Sequence, residues 1–210
     1  MCEEMETGSR PQDEWDLIYR EETPPWETGR PASELVRVLD EGIIPPGTAI
    51  ELGCGTGADA IYIASKGFEL TAIDFSPTAI ERARTRAEQY DVNIRFVLDD
   101  VYEFCKRCEP VDFVYDAGFY HHARQHDLKK FLDLLWRITK PGSYYLSLAG
   151  ATGEEATGGP PQVSEKEIRF ELGRLFEFVH LRNFRFESPF RREGYLGWSI
   201  LMRRPEPMSL

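Results

Sequence analysis

The sequence predicts an α/β fold, a mostly parallel seven-stranded sheet with helices on both faces. Three observations predict it. Strand-like apolar runs alternate with stretches of helical periodicity from Thr48 to Leu148. A glycine-rich turn, Gly53-Cys54-Gly55-Thr56-Gly57, stands between the first such strand and the helix after it. Start and stop signals also fall where that alternation needs them, at Ser76-Pro77 and at Lys140-Pro141-Gly142. Right-handed crossovers then gather the C-terminal ends of the parallel strands on one edge, and ligands bind there in open α/β sheets.

The elements follow in order. Residues 1–12 read as a disordered tail, residues 13–204 as a single domain whose first part, 13–47, forms a lid and helices, and residues 205–210 as a loose end. Asp13 to Arg20 is a short helix carrying Trp15, Leu17, Ile18 and Tyr19. After a turn through Pro25-Trp26, Pro31 suits the first turn of a second helix, with Ala32, Leu35, Val36 and Leu39 on its apolar face and Gly42 as its stop. Thr48–Leu52 is a strand, Ala58–Lys66 a helix closed by Gly67, and Phe68–Asp74 the next strand. Ser76-Pro77 opens a helix that turns Ile80, Ala83, Ala87 and Tyr90 inward. Strands at Asn93–Leu98 and Val111–Tyr115 precede a helix over Asp127–Thr139, whose stripe is Leu128, Phe131, Leu132, Leu135 and Trp136. Tyr144–Leu148 is a strand, Gly150–Pro161 a glycine-rich loop, and Ser164 with Glu167 a capping box. Strands over Phe176–Phe186 and Tyr195–Arg203 complete the sheet.

Composition narrows the function. The chain has 210 residues, a net charge of -11 and 41% hydrophobic residues, an ordinary globular balance. That charge argues against a nucleic-acid partner, which demands a basic surface. No apolar run reaches the roughly 20 residues of a membrane helix, and the acidic, polar start is neither a secretory signal nor a transit peptide. A cytosolic protein without membrane contact is expected. Arg182, Arg185, Arg191 and Arg192 read first as a salt-bridged solvated face, and second as a rim attracting a small anion. Cys105-x-x-Cys108 lacks the second pair that structural zinc requires, so two reduced thiols beside a helix are expected and no metal is implied.

The chemistry concentrates on Glu51-Leu-Gly53-Cys54-Gly55-Thr-Gly57 and on Asp74. Glycines let backbone approach a ligand, and the helix after them aims free N–H groups at it. An acid ending the next strand suits a ribose diol. Gly53-x-Gly55-x-x-Ala58 with Asp74 also fits a dinucleotide site. Glu51 favours a ligand with a cationic amine, because a carboxylate is badly placed beside a pyrophosphate. Asp99 and Asp100 bring more negative charge to the same edge, and either can accept from an adenine amino group. Cys54 reads as a small filler of the loop.

The stretch from Ala49 to Arg82 resembles the core of class I S-adenosylmethionine-dependent methyltransferases. Glu51 to Gly57 matches their first motif, Ala72-Ile-Asp74-Phe75-Ser their second, and Val97-Leu-Asp99-Asp100 is similar to the third; Lys140-Pro-Gly142 before a strand is typical of them. The likeness runs over roughly residues 13 to 203 and implies their Rossmann-like fold, with an antiparallel C-terminal strand and S-adenosylmethionine as cofactor. It also implies that Gly53, Gly55 and Gly57 hold the methionine end, that Asp74, with Phe75 beside it, holds the ribose, and that Asp100 with Val101 holds the adenine. Trp15-Asp and Pro25-Trp26-Glu-Thr-Gly29-Arg30-Pro31 look like the opening of the thiopurine, thiol/halide and tellurite-resistance methyltransferases. In those the segment closes over cofactor and acceptor, which would set Trp26 against the sulfonium and Arg30 at the cofactor. The other reading is that Trp15 and Trp26 pin an N-terminal helix to the domain; both can hold.

The fourth strand leads into Asp116-Ala-Gly-Phe-Tyr120-His121-His122 on the ligand edge. Asp116 and Tyr120 are expected at the catalytic and cofactor site, and His121 or His122 as a general base or a grip on the acceptor. The alternative is that one histidine caps a helix or bonds backbone. No Asn-Pro-Pro-Tyr motif stands here, which counts against methylation of DNA bases or of protein glutamine. The expectation is a small-molecule methyltransferase acting on a thiol or other soft nucleophile. The rivals are an O- or N-methyltransferase, an enzyme that uses NAD(P) through Gly53 to Ala58, and an inactive cofactor-binding scaffold.

Overall fold

The computed structural model of the chain describes residues 12–21, 24–154, 159–189 and 191–207. The tail expected before residue 12, the middle of the loop expected over Gly150–Pro161 and the last three residues lie outside the described residues.

The helices are α1 (Gln12–Glu21), α2 (Ser33–Asp40), α3 (Ala58–Ser65), α4 (Pro77–Ala87), α5 (Val101–Cys105), α6 (Phe119–Ile138) and α7 (Glu165–Leu172). The strands are β1 (Thr48–Leu52), β2 (Glu69–Asp74), β3 (Ile94–Leu98), β4 (Val111–Ala117), β5 (Thr139–Ala151), β6 (Gln162–Val163), β7 (Glu177–Phe186) and β8 (Tyr195–Arg203). They form one sheet in the order β3-β2-β1-β4-β5-β8-β7, with β6 pairing to the end of β5. β1 to β5 are mutually parallel, and β8 runs antiparallel to both β5 and β7. The architecture is the expected one, with the two-residue β6 added.

Alternating side chains on the buried parallel strands feed two cores, one on each face. On one face Ile50, Leu52, Val114 and Tyr145 pack with Val101 of α5, Phe131 and Leu135 of α6 and Ile168 of α7. On the other, Ala49, Phe113, Leu146 and Leu148 pack with Leu35 and Val38 of α2, Ile63 of α3 and Ile80 of α4. The order reverses at β1, whose neighbours β2 and β4 cross over on opposite faces. A crevice therefore opens between the C-terminal ends of β1 and β4.

Several local readings are corrected. α2 buries Leu35, Val38 and Leu39, so its apolar face passes through Val38 and leaves Val36 at the margin. Tyr90 lies past the end of α4 and is exposed. Trp136 is 53% exposed, because the buried stripe of α6 runs Phe131, Leu134, Leu135, Ile138; its ring lies under the Arg204 guanidinium instead. Asp127 does begin a helical segment, since its backbone is non-helical and its carboxylate accepts the Lys130 N–H at 2.9 Å. A further helical stretch from Phe119 precedes it, on residues to which the sequence reading gives no element. α5 and β6 are additional elements. The Ser76 and Ser164 caps form as expected, the latter as a full capping box.

Candidate functional site

The loop after β1 is built by its glycines. Gly53, Gly55 and Gly57 take φ of 71°, 51° and 78°. At two of them space as well as φ demands glycine: a Cβ on Gly55 would stand 2.8 Å from the Tyr19 hydroxyl, and one on Gly57 2.9 Å from the Ala83 Cβ. Gly57 also caps α3 in the left-handed conformation, so the first turn of α3 faces the crevice. Cys54 is buried and donates its N–H to the Ile73 carbonyl, tying the loop to β2.

Four acids converge beneath this loop. Glu51 is 3% exposed and its Oε2 has no hydrogen-bond partner among the described residues. Burial, followed by the charges of Asp59, Asp74 and Asp116, holds its carboxyl far above the ordinary range. Asp74 accepts the Gly55 N–H on one oxygen and the Ser76 N–H on the other, both at 2.9 Å, and burial still raises its pKa. Each oxygen keeps acceptor capacity. Asp59 accepts from the Ala32 N–H and the Tyr115 hydroxyl, each at 2.7 Å. Asp116 is fully buried; it accepts from the Tyr145 hydroxyl at 2.6 Å and the Tyr120 N–H at 3.0 Å, and burial lifts its pKa to about 6.

At the end of β3, Asp99 turns to an ion pair with Arg107 at 2.6 Å. Asp100 caps α5 by accepting the Tyr102 and Glu103 N–H groups on one oxygen, and Val101 is buried in the first turn. Phe75 is half-buried beside Asp74.

Beyond Gly118 the two histidines have unlike surroundings. His121 is 4% exposed, and its Nδ1 accepts the Gly150 N–H at 3.0 Å. The proton of the neutral ring is therefore on Nε2. Burial, with the neighbouring His122, pushes its pKa well below the usual histidine value. His122 is half-buried, edge-on to His121 at 4.8 Å and to Trp15 at 5.2 Å. Trp15 in turn meets Trp26 at 5.4 Å, and the Trp26 indole N–H donates to the Tyr19 hydroxyl at 3.4 Å. Trp15, Trp26, Tyr19 and His122 thus form an aromatic wall over the glycine loop, with Trp26 47% exposed.

The structure separates two expected residues from this cluster. Tyr120 is fully buried and donates its hydroxyl to Glu171 at 2.8 Å, in a network with Arg124 behind the site. It packs on Phe131 and does not face the crevice, because the helical start of α6 turns adjacent side chains to different sides. Arg30 is exposed in the turn before α2. Three of the four arginines near the C-terminus follow the salt-bridged reading: Arg182 pairs with Glu34 and Glu41, and Arg185 and Arg191 with Glu154.

Other residues of the site were not singled out in the sequence. Asp16 is buried and accepts the Ser76 hydroxyl at 2.6 Å, which docks α1 on the start of α4. Thr56 of the glycine loop donates to Glu27 and accepts from Arg86 at 2.7 Å, while Arg86 also reaches Glu27 at 3.3 Å. These contacts latch the Trp26 turn onto the glycine loop. They join positions 29 to 60 residues apart, and no local pattern encodes them.

Comparison with known proteins agrees with this geometry. Residues 49–142 match a family model described as a methyltransferase domain. The chain is 29% identical to 2-heptyl-1-hydroxyquinolin-4(1H)-one methyltransferase of Mycobacteroides abscessus, over 75% of this chain and 74% of that protein. It is 25% identical to probable thiol methyltransferase 2 of Arabidopsis thaliana, over 80% and 75%. Its fold matches a structure solved in work on the conversion of a disulfide bond into a thioacetal group during echinomycin biosynthesis, with a TM-score of 0.80, 24% identity and 93% of each chain covered. No helix among the described residues is long and apolar enough to cross a membrane.

Proposed function

We propose that the chain is a class I S-adenosylmethionine-dependent methyltransferase acting on a small molecule, and that its acceptor is a soft nucleophile, a thiol or a comparable anion, methylated against the aromatic wall of Trp15, Trp26 and His122. Glu51 supports the seat of the cofactor. A buried carboxylate with an unpartnered oxygen among three other acids is costly until a cation completes it, and the cofactor's α-amino group is such a cation. The tight turn of Gly53, Gly55 and Gly57 would hold the methionine end against the start of α3, Asp74 has acceptor capacity for the ribose hydroxyls, and Asp100 with Val101 lines the adenine side. When bound, S-adenosylmethionine supplies a methyl group already activated on a sulfonium.

The protein's share of the reaction is alignment and exclusion of water. Trp26 presents an aromatic face toward positive charge. Trp15 and His122 wall the acceptor side. Asp116, fixed by Tyr145 and the Tyr120 N–H, holds the turn that carries the histidines. His121 carries the acceptor reading: with Nδ1 engaged by Gly150, its remaining nitrogen is a donor, suited to holding an anion and not to taking a proton. An acceptor that arrives ionised fits this arrangement, and the likeness to a probable thiol methyltransferase supports it.

The second reading is an acidic hydroxyl, favoured by likeness to the hydroxyquinolone methyltransferase and by His122, whose ring stands on the acceptor side. Initial rates on matched thiols and hydroxyl compounds, with wild type and His122→Ala, decide between them. Turnover of thiols that His122→Ala changes less than about threefold supports the thiol reading; turnover of hydroxyl acceptors alone, lost in His122→Ala, establishes the second.

A further inference from the structure

α5 ends at Cys105, and the chain turns through Lys106 and Arg107 to Cys108. Cys105 is fully buried against the core, whereas Cys108 is half-exposed. The Cys108 thiol donates to the Cys105 carbonyl oxygen at 3.6 Å, which folds the two cysteines into one turn. Cys108 opens onto a groove of about 590 Å³ on the sheet face, apart from the glycine loop; Arg95, Phe104, Arg107 and Glu109 also line it. Arg95 lies over the Phe104 ring at 5.6 Å. Arg137 closes the back of the turn by donating to the Cys105 carbonyl at 2.9 Å. Among the described residues no three histidine, cysteine or acidic side chains gather to hold a metal ion, so the pair is not part of a larger ligand set.

We propose that Cys105 and Cys108 form a reversible dithiol–disulfide site, with Cys108 attacking small disulfides that enter the groove and Cys105 resolving the product. The neighbouring Cys105 and then Arg137 draw the Cys108 thiol below the usual cysteine value, while Cys108 and burial push Cys105 above it, so Cys108 holds the larger thiolate fraction and is the attacking sulfur. In the first step a bond forms between the Cys108 sulfur and one sulfur of the small disulfide. The disulfide's S–S bond breaks, and its other half leaves as a thiolate. Cys105 then gives up its proton, its sulfur attacks that of Cys108, and the second half leaves as a thiolate that takes up a proton. The net change is two protein thiols oxidised to one disulfide and one small disulfide reduced to two thiols; excess small thiol reverses it. Arg107 is already paired with Asp99, and Glu69 and Glu109 face Arg95, so the groove admits small disulfides by size and not by charge.

The test is incubation of the full chain with oxidised glutathione, followed by intact mass and peptide mapping. The expected result is a Cys105–Cys108 disulfide in wild type, a glutathione adduct on Cys108 in Cys105→Ala, and a loss of reaction at this turn by tenfold or more in Cys108→Ala, about the effect of removing a favoured thiolate. Peptide mapping of wild type needs no variant to fold. Finding only a stable glutathione adduct there, oxidation confined to Cys54, or Cys105 reacting in Cys108→Ala at the wild-type rate would overturn the proposal.

Discussion

Tyr145 of β5 donates its hydroxyl to Asp116 of β4 at 2.6 Å, and neither residue reaches solvent. The acid nevertheless binds a proton more tightly in the fold than in the unfolded chain, at about 6 against 3.8, because burial outweighs the hydrogen bonds that favour its ionised form. The sign follows: stability associated with this group is greatest at low pH and declines as pH rises through 4 to 6, then levels. Asp116→Asn removes the titration. Denaturant unfolding of both proteins across that window is expected to show the variant gaining on wild type as pH rises, by up to about 3 kcal/mol if the whole shift is realised. A constant difference across the window would contradict it.

Glu51 carries a second prediction. Glu51→Gln is expected to weaken S-adenosylmethionine binding by roughly ten- to a hundredfold while leaving the ligand-free protein as stable or more so. Since the raised carboxyl must ionise to meet a cation, binding to wild type should release a proton and tighten as pH rises. Titration calorimetry in two buffers of different ionisation enthalpy reads the proton directly.

The Glu27–Thr56–Arg86 latch yields a third. Arg86→Ala should raise the KM for the cofactor about five- to thirtyfold, matching the loss of one or two charge-assisted hydrogen bonds, with a smaller effect on kcat. Hydrogen exchange in α1 should rise in the same variant. An unchanged KM would show that closure of the Trp26 turn does not depend on the latch.

Arg124 provides a stability test away from the crevice. It bonds Glu171, which is 6% exposed, and pairs with Glu167 at 2.8 Å. Arg124→Met strands a buried acid and should cost about 3–5 kcal/mol. The double variant with Glu171→Leu should recover much of it, as equilibrium unfolding would reveal.

What the sequence disclosed was local. The glycine loop, the Ser76 and Ser164 caps and the strand and helix order rest on neighbours a few residues apart, and their steric and hydrogen-bonding rules are readable in one dimension. Tyr90 and Trp136 were placed inward because a helical phase was carried too far or rotated slightly, and one position of drift moves a side chain about 100° round the axis. Tyr120 was expected at the crevice because adjacency to His121 suggested a shared role, yet successive helical residues diverge. Tyr19 and Arg86 carry no local signature, and the stretch that includes Glu27 is read for its tryptophan and arginine and not for its acid. They matter only because α1 folds back onto α4 and the loop after β1.

The order of the last strands has a further bearing, on how the protein folds. β8 lies between β5 and β7, so it is the strand that ties β7 to the rest of the sheet. Until β8 docks, β7 has no neighbour in the sheet and the flank of β5 stands bare. A folding intermediate that lacks β8 is therefore the species most prone to pair with another chain, and a substitution that weakens β8 would favour aggregation over assembly.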